Sequence, residues 1–197
     1  MICCLDLEGV LIPEIWINVA KKTGIKALER TTRDEPDYDK LMRYRLAILK
    51  KEGILLCDIQ AVIWSMNPLP GAKDFLRKLH ETYQVIILSD TYYEFAASMM
   101  KKLGNPTLFC NWLSTDKKGF IADYHLRQRS GKKEAVRAIR SLGFKVVAAG
   151  DSYNDIAMLK TADRGILFRP PAKIVKQFPE FPVTMTYSQL LAAFRKK

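Results

Sequence analysis

Two acidic residues close to the start of the chain have the spacing of a reactive pair. Asp6 and Glu8 follow a short apolar run, and side chains two residues apart on an extended backbone face the same side. Gly9 comes directly after them and permits a tight turn. Two carboxylates held together at the end of a strand can share a cation, so this segment is the first candidate site.

A second acidic pair lies far along the chain, in the segment that begins at Gly150. Asp151 and Asp155 are four residues apart, which places them near one face of a helix that starts there. If both pairs meet at one edge of a sheet, their charges repel strongly unless a positive group lies among them. A hard cation with oxygen ligands meets that need. Mg²⁺ fits best because it requires few carboxylates and leaves positions for water and phosphate.

Groups able to bind phosphate occur at two further places. Ser89 and Asp90 follow an apolar run, and Lys132 lies at the start of a helix that follows Ser130. The Lys132 ammonium, the Ser89 hydroxyl and free N–H groups at helix starts would donate to phosphate oxygens. Each polar residue alone is also explained as a helix N-cap. Together with the acidic pairs they predict a phosphoryl-transfer site.

A parallel sheet would bring these residues together. Apolar runs of strand length, each followed by a helical pattern, occur at residues 2–7, 85–88, 146–149 and 165–168, with an edge strand at 183–185. Strands that alternate with helices predict an α/β fold with a doubly wound, mostly parallel sheet covered on both faces. In such a sheet, ligands bind at the carboxyl ends of the strands, where the acidic pairs and Ser89 lie.

The region after the first strand departs from this alternation. Residues 14–68 contain no convincing strand and predict a helical cap, with helices at about 14–23, 38–51 and 58–65. The catalytic core would then comprise residues 1–13 and 69–197. The stretch 67–71 is rich in Pro and Gly and predicts a hinge between cap and core. Residues 111–127 predict a β-hairpin beside the sheet.

Composition sets the wider limits. The chain has 197 residues, of which 48% are hydrophobic and 27% charged, as in ordinary globular proteins of one domain or of a core with a small insert. The first carboxylate comes too early for a secretory signal and no long apolar run occurs, so we expect a cytoplasmic protein without membrane contact. Four cysteines without a CxxC pair predict reduced thiols that pack in the interior.

The formal charge of +11 favours an anionic partner. Nucleic acid is the alternative to a phosphorylated metabolite, but the excess charge is scattered and no recognition module is visible, so we expect no nucleic-acid partner. A catalytically silent scaffold is disfavoured because every acid and the lysine that phosphoryl transfer needs are present.

The four motifs, in this order, resemble those of the haloacid dehalogenase superfamily. They are the segments that contain Asp6, Ser89, Lys132 and Asp151, and the insert at 14–68 resembles the cap of that superfamily. The closer resemblance is to its phosphoserine phosphatase branch, including bacterial members that also transfer phosphate to homoserine. It is carried by Asp-Leu-Glu-Gly-Val-Leu-Ile-Pro-Glu-Ile-Trp from position 6, Ser-Asp-Thr-Tyr-Tyr-Glu-Phe from position 89 and Ala-Gly-Asp-Ser-Tyr-Asn-Asp from position 149.

This resemblance implies roles for the site residues. Asp6 would be the nucleophile that forms an aspartyl-phosphate, and Glu8 the acid and base. Ser89, Asp90 and Lys132 would contact phosphate. The metal, Mg²⁺, would be held by Asp6, Asp151 and the carbonyl of Glu8, with Asp155 in support. Most phosphatases of the superfamily have Asp at the position of Glu8, so the longer arm bears on the balance between hydrolysis and transfer to an alcohol.

Specificity is expected from the cap. Arg45 would pair with the carboxylate of a small phosphorylated amino acid, Glu14 would meet its amino group, and Asn154 would add a contact from the core. Arg43 is the competing choice, a surface role for Arg45 and a helix-start role for Glu14 are the plain alternatives, and a nucleotide or sugar phosphate is the alternative substrate. The oligomer would be a monomer or a homodimer.

Overall fold

Seven strands form one sheet at the centre of the molecule. The structure is a computed structural model and describes residues 1–31, 34–35 and 37–196, so residues 32, 33 and 36 of the predicted cap lie outside the described residues. The spatial order of the strands is β4-β3-β2-β1-β5-β6-β7. Their bounds are β1 Ile2–Leu5, β2 Gln84–Tyr92, β3 Thr107–Thr115, β4 Ile121–His125, β5 Val146–Gly150, β6 Arg164–Phe168 and β7 Val183–Thr184.

All neighbouring strands run parallel except β3 and β4, which form an antiparallel hairpin. The central strands have helices on both faces, which explains why β5 is buried along its whole length and consists of Val, Ala and Gly. The α/β fold with a mostly parallel, doubly wound sheet is therefore confirmed.

Nine α-helices are present in the described part of the chain. Their bounds are α1 Ile15–Thr23, α2 Tyr38–Lys51, α3 Leu56–Ser65, α4 Ala72–His80, α5 Tyr93–Leu103, α6 Gly131–Ser141, α7 Tyr153–Thr161, α8 Ala172–Gln177 and α9 Tyr187–Arg195. A short 3₁₀ helix adds Lys26–Glu29. The predicted hydrophobic periodicity of the cap thus corresponds to α1, α2 and α3, within two residues at each end.

The segment that holds α1 to α3 leaves the core after β1 and returns before α4. Its two connections lie side by side, because the Leu69 amide donates to the Leu11 carbonyl at 2.9 Å. Its buried apolar residues share one continuous cluster with those of β1, β2 and α5. The segment therefore covers the carboxyl end of β1, where Asp6 and Glu8 lie.

Four local expectations are corrected. The first strand ends at Leu5 rather than at residue 7, and β2 continues to Tyr92 rather than ending at residue 88. The hairpin is not beside the sheet but part of it, since β3 pairs with β2. Cys57 is exposed on α3, whereas the other three cysteines are buried as expected. No helix in the described residues is long and apolar enough to cross a membrane.

Candidate active site

Asp6 lies at the start of a tight loop that follows β1. Its amide donates to the Ala149 carbonyl at 2.9 Å, which extends the pairing of β1 with β5 by one residue. The Oδ1 atom accepts from the Leu7 amide at 2.7 Å and lies 2.8 Å from Nζ of Lys132. In the described part of the chain no hydrogen bond reaches Oδ2. The protein therefore orients the carboxylate through one oxygen and leaves the other available for reaction.

The loop turns back because Gly9 adopts a positive φ of 78°. A Cβ atom on Gly9 would lie 2.6 Å from the Asp151 carboxyl carbon, and one on Gly150 would lie 2.3 Å from that of Asp155. No side chain fits at either distance. The two glycines thus allow Asp151 and Asp155 to pack directly against backbone next to Asp6.

Ser89 and Asp90 lie in a bulge of β2. Leu88 pairs with Phe109 and Tyr92 pairs with Asn111, so the three residues between them on β2 lie opposite a single residue of β3. The sequence allowed these residues to be the N-cap of a helix, but this interpretation is wrong, because α5 begins only at Tyr93.

The bulge turns the two residues toward the same cavity as Asp6. Ser89 Oγ accepts from the Thr91 amide at 3.2 Å, which leaves its proton free to donate. Because the Asp90 side chain carries the same charge as phosphate, a favourable phosphate contact from this residue would use its backbone N–H.

Lys132 is buried among carboxylates. Its Nζ atom lies 2.8 Å from Asp6, 2.8 Å from Asp155 and 3.7 Å from Asp90. Burial alone would lower its pKa, but Asp155, Asp6 and Asp90 hold the pKa of Lys132 well above its usual value. Lys132 is therefore a fixed positive charge at the point where these three side chains converge.

Asp155 is fully buried and its carboxylate is saturated by donors. Oδ1 accepts from Lys132 at 2.8 Å, and Oδ2 accepts from the amides of Asp151 and Ser152 at 3.0 Å and from the Ser152 hydroxyl at 3.2 Å. These bonds fix the start of α7. A carboxylate with four donors has little capacity left for a metal, so the geometry matches a supporting role.

The residues present fit a divalent cation. Asp6, Asp151 and Asp155 each have a carboxylate oxygen within 4.8 Å of the other two. Asp6 and Asp151 would ligate the cation, while Asp155, already bonded to four donors, would support them. Burial and then the Asp155 charge raise the pKa of Asp6 well above its usual value and that of Asp151 to about 7. A cation among these oxygens would remove this repulsion, and carboxylates are the ligands that hard cations prefer.

Glu8 lies at the other side of the loop. Its Oε2 atom accepts from the Ile15 amide at 2.8 Å, which ties the side chain to the start of α1. Burial and then the nearby Glu14 charge raise the pKa of Glu8 to about 7, although the Ile15 amide and Arg45 oppose the shift. A carboxyl with such a pKa can give and take protons near neutral pH.

Side chains of α1 and α2 form the opposite wall, which we call the cap wall and define as Glu14, Trp16, Tyr38 and Arg45. Arg45 is only 5% exposed and its guanidinium lies over the Trp16 ring at 4.5 Å. Its Nη2 atom donates to the Arg30 carbonyl at 2.7 Å, whereas Nε is buried and has no partner among the described residues. No carboxylate of the described chain is within ion-pair distance of Arg45, so a buried cation faces the cavity without an anion.

The two arginines of α2 lie on different sides of the helix. Arg43 is exposed and pairs with Asp123 at 2.8 Å and Asp39 at 3.4 Å, outside the cavity. Arg45 lies inside, so the interpretation of Arg45 as a solvated surface residue is wrong. Glu14 occupies the N-cap position of α1 rather than its first turn and also lines the cavity.

These elements enclose a cavity of about 140 Å³, which we call the inner cavity. Every predicted site residue except Asp155 lines it, including Asn154 at the start of α7. The sequence assigned no site role to Tyr38 or Tyr92, yet both line the cavity and their hydroxyls lie 2.7 Å apart.

A third residue that the sequence did not single out, Asn111, supports the bulge from behind. Its Nδ2 donates to the Asp90 carbonyl at 3.0 Å and its Oδ1 accepts from the Arg127 amide at 3.0 Å. A polar residue inside the apolar run of β3 was the available signal, since such residues are retained when they are fully hydrogen-bonded.

A buried carboxylate beside a lysine, with further carboxylates that could hold a cation, is chemically suited to phosphoryl transfer. A family model described as haloacid dehalogenase-like hydrolase matches residues 1–163. The chain belongs to this family.

Individual proteins of that family are similar to this chain over nearly its whole length. The chain is 53% identical over 195 residues to a phosphoserine phosphatase of Pseudomonas syringae, and 53% identical over 195 residues to phosphoserine phosphatase ThrH of Pseudomonas aeruginosa. The match covers 99% of the chain, and 82% and 95% of those proteins. The resemblance to the phosphoserine phosphatase branch is therefore confirmed.

Solved structures agree on the fold. A phosphoserine phosphatase in apo form has a TM-score of 0.79 at 21% identity, and a phospho-aspartyl intermediate analogue of phosphoserine phosphatase has 0.80 at 20%. Each match covers 99% of this chain and 98% of the other.

Proposed function

We propose that this protein is a Mg²⁺-dependent phosphoserine phosphatase that works through an aspartyl-phosphate on Asp6 and that also passes the phosphoryl group to homoserine. The observation that carries the proposal is the pairing, across one small cavity, of a reactive carboxylate beside Lys132 with an unpaired buried arginine. Lys132 and Asp6 suit the phosphate ester, while Arg45 suits a carboxylate. The relatives at 53% identity are named for the same activity.

The reaction would proceed in two steps. In the first step, Oδ2 of Asp6 forms a bond to phosphorus and the bond to the serine oxygen breaks, while Glu8 gives its proton to that oxygen. In the second step, a water oxygen attacks the phosphorus, Glu8 takes the water proton, and Asp6 is released with inorganic phosphate. The pKa of Glu8, raised by burial to about 7, suits both directions of proton transfer.

Mg²⁺ would be held by Asp6, Asp151 and the backbone carbonyl of Glu8, and when bound it neutralises charge on the phosphate and on the nucleophile. Lys132 and Ser89 donate to the phosphate oxygens, and Lys132 also holds Asp6 in place. Homoserine would take the place of water in the second step and give its hydroxyl proton to Glu8, which yields phosphohomoserine.

Recognition of the amino acid is assigned to the cap wall and to Asn154. Arg45 pairs with the carboxylate of the substrate, because no carboxylate of the described residues neutralises its guanidinium, and Glu14 meets the ammonium group. A cavity of about 140 Å³ suits a compact ester, since sites for drug-sized ligands span about 300–1,000 Å³. This size supports an amino-acid phosphate over a nucleotide.

We also infer that residues 14–68 act as a cap domain and that 67–71 form its hinge. The neighbouring connections at Leu11 and Leu69 support this, because motion about them would move Arg45 relative to Asp6 without breaking a strand.

The proposal is tested by a screen of phosphate release with and without Mg²⁺. The substrates are phosphoserine, phosphohomoserine and nucleoside monophosphates, and the screen is repeated with homoserine added. We expect Mg²⁺-dependent release from phosphoserine that falls as phosphohomoserine appears. Release from nucleoside monophosphates alone would favour the nucleotide alternative, and release from phosphoserine that homoserine does not change would reject the transfer.

A further inference from the structure

A second and larger cavity adjoins the inner cavity. It measures about 680 Å³, and we call it the outer cavity. Four residues line both spaces: Tyr38, Asp90, Lys132 and Asn154. Asp90 and Lys132 face each other at 3.7 Å in the catalytic core. Among the described residues of the cap, Tyr38 is therefore the one that borders both cavities.

Tyr38 is held firmly in that position. Its hydroxyl donates to the Asp90 carbonyl at 3.3 Å and lies 2.7 Å from the hydroxyl of Tyr92, which is 1% exposed. Its ring packs edge-on against Tyr124 at 5.8 Å. Asp37 caps α2 by accepting from the amides of Asp39 and Lys40, which fixes the first turn of the helix.

The two cavities differ in size and lining. The inner cavity is below the usual size for drug-sized ligands, whereas the outer cavity is within it. The outer cavity also contains apolar surface from Leu126, Pro171 and Ile174 beside the cations Lys133 and Lys173. Since Lys132 lines both, a phosphate bound at Lys132 would lie beside the outer cavity, and the Tyr38 ring lies between the two spaces on the side of the cap.

From this geometry we propose that Tyr38 determines specificity: it closes the inner cavity against bulky alcohols, so that compact phosphomonoesters are selected. The inference rests on the proposed function for the identity of the compact substrate. Removal of the ring would join the two cavities and admit an aryl group to the outer one. The Tyr38 hydroxyl holds the ring in place, and the ring itself excludes bulky alcohols from the inner cavity.

The test compares kcat/KM for phosphoserine with that for p-nitrophenyl phosphate. We expect Tyr38→Ala to shift the ratio toward the aryl ester by about tenfold or more, because pocket shape can supply discrimination of this size. Tyr38→Leu should shift it in the same direction, and it keeps more apolar packing than alanine if the alanine variant folds poorly. Tyr38→Phe keeps the ring and should keep the ratio within about twofold.

Tyr44→Ala is the matched control, since Tyr44 is on the same helix, is exposed and lines neither cavity. Equal losses on both substrates in the alanine and leucine variants would overturn the proposal, as would a shift with Tyr38→Phe as large as that with Tyr38→Ala. If the wild-type protein does not act on phosphoserine, the proposed function fails separately, and the ratio is then measured with the compact ester that the screen identifies.

Discussion

The two sides of the inner cavity satisfy their charged groups in different ways. At the catalytic side, Asp6 and Asp155 each lie 2.8 Å from Nζ of Lys132, so the charges are paired within the protein itself. At the cap wall, Arg45 is buried but lacks an anion among the described residues, and Glu14 is exposed to the cavity. The difference indicates that the core is organised in advance for chemistry, whereas the cap wall depends on the substrate to complete it.

The largest effect is expected at the catalytic side. Asp6→Asn removes the nucleophile but keeps its shape and its place beside Leu7, so the protein should fold and kcat should fall by about 10⁴-fold or more. Steady-state assays and circular dichroism measure the two quantities. A variant that keeps wild-type rates would remove Asp6 from the mechanism.

The cap wall should affect binding more than the chemical step. Arg45→Ala removes charge-assisted hydrogen bonds to a carboxylate, so KM for phosphoserine should rise by about 10–100-fold with a smaller change in kcat.

Arg43→Ala, two residues away on the outer face of α2, is the control and should change KM by no more than about twofold. If the two variants gave the same kinetics, the assignment of Arg45 to substrate would have to be abandoned.

A smaller effect, on stability, tests the close packing of the catalytic side. Gly150→Ala places a Cβ atom 2.3 Å from the Asp155 carboxyl carbon and should lower the free energy of unfolding by about 1–3 kcal/mol. Gly131→Ala is the matched control, because no atom lies within 4 Å of its added Cβ, and it should change stability by less than about 0.5 kcal/mol. Urea unfolding measures both, and equal values would show that the contact at Gly150 relaxes without cost.

The pH dependence of metal binding gives the smallest effect. Burial raises the pKa of Asp151 from 3.8 to about 7 and that of Asp6 well above its usual value. In the metal-free protein their neutral forms contribute stability below about pH 4, and this contribution is lost as the pH rises through about 7.

Mg²⁺ stabilises the ionised forms, so a concentration about fivefold above its Kd should raise Tm by about 2–4 °C at pH 8 and by less than half of that at pH 5. Thermal unfolding in NaCl of equal ionic strength is the control. An increase that is larger at pH 5 would contradict the proposed ligands.

The elements of the fold could be predicted from the sequence because their patterns are local. Strands β1 and β5 are uninterrupted apolar runs, and the acidic motifs follow them at the carboxyl edge of the sheet. The bulge at Ser89 could not be predicted, because it depends on the register between β2 and β3. The same holds for the Tyr38–Tyr92 pair, whose members are 54 residues apart.

The position of Arg45 could be predicted from the sequence in part. The buried residues of α2 are Leu41, Met42, Arg45, Leu46 and Leu49, a stripe with helical spacing. An arginine inside an apolar stripe is buried, while Arg43 lies outside it. The periodicity of α2 was therefore enough to choose between the two arginines, although it could not show that Trp16 supports the guanidinium.

The most direct test of the account is to trap the phosphorylated enzyme. The protein is mixed with phosphate-labelled phosphoserine and Mg²⁺, quenched in acid within the first turnover, and the labelled peptide is identified. The account predicts label on Asp6 as an acyl phosphate that hydroxylamine removes, and none in Asp6→Asn. Label that resists hydroxylamine, label on Ser89, or turnover without any labelled protein would contradict an aspartyl-phosphate on Asp6.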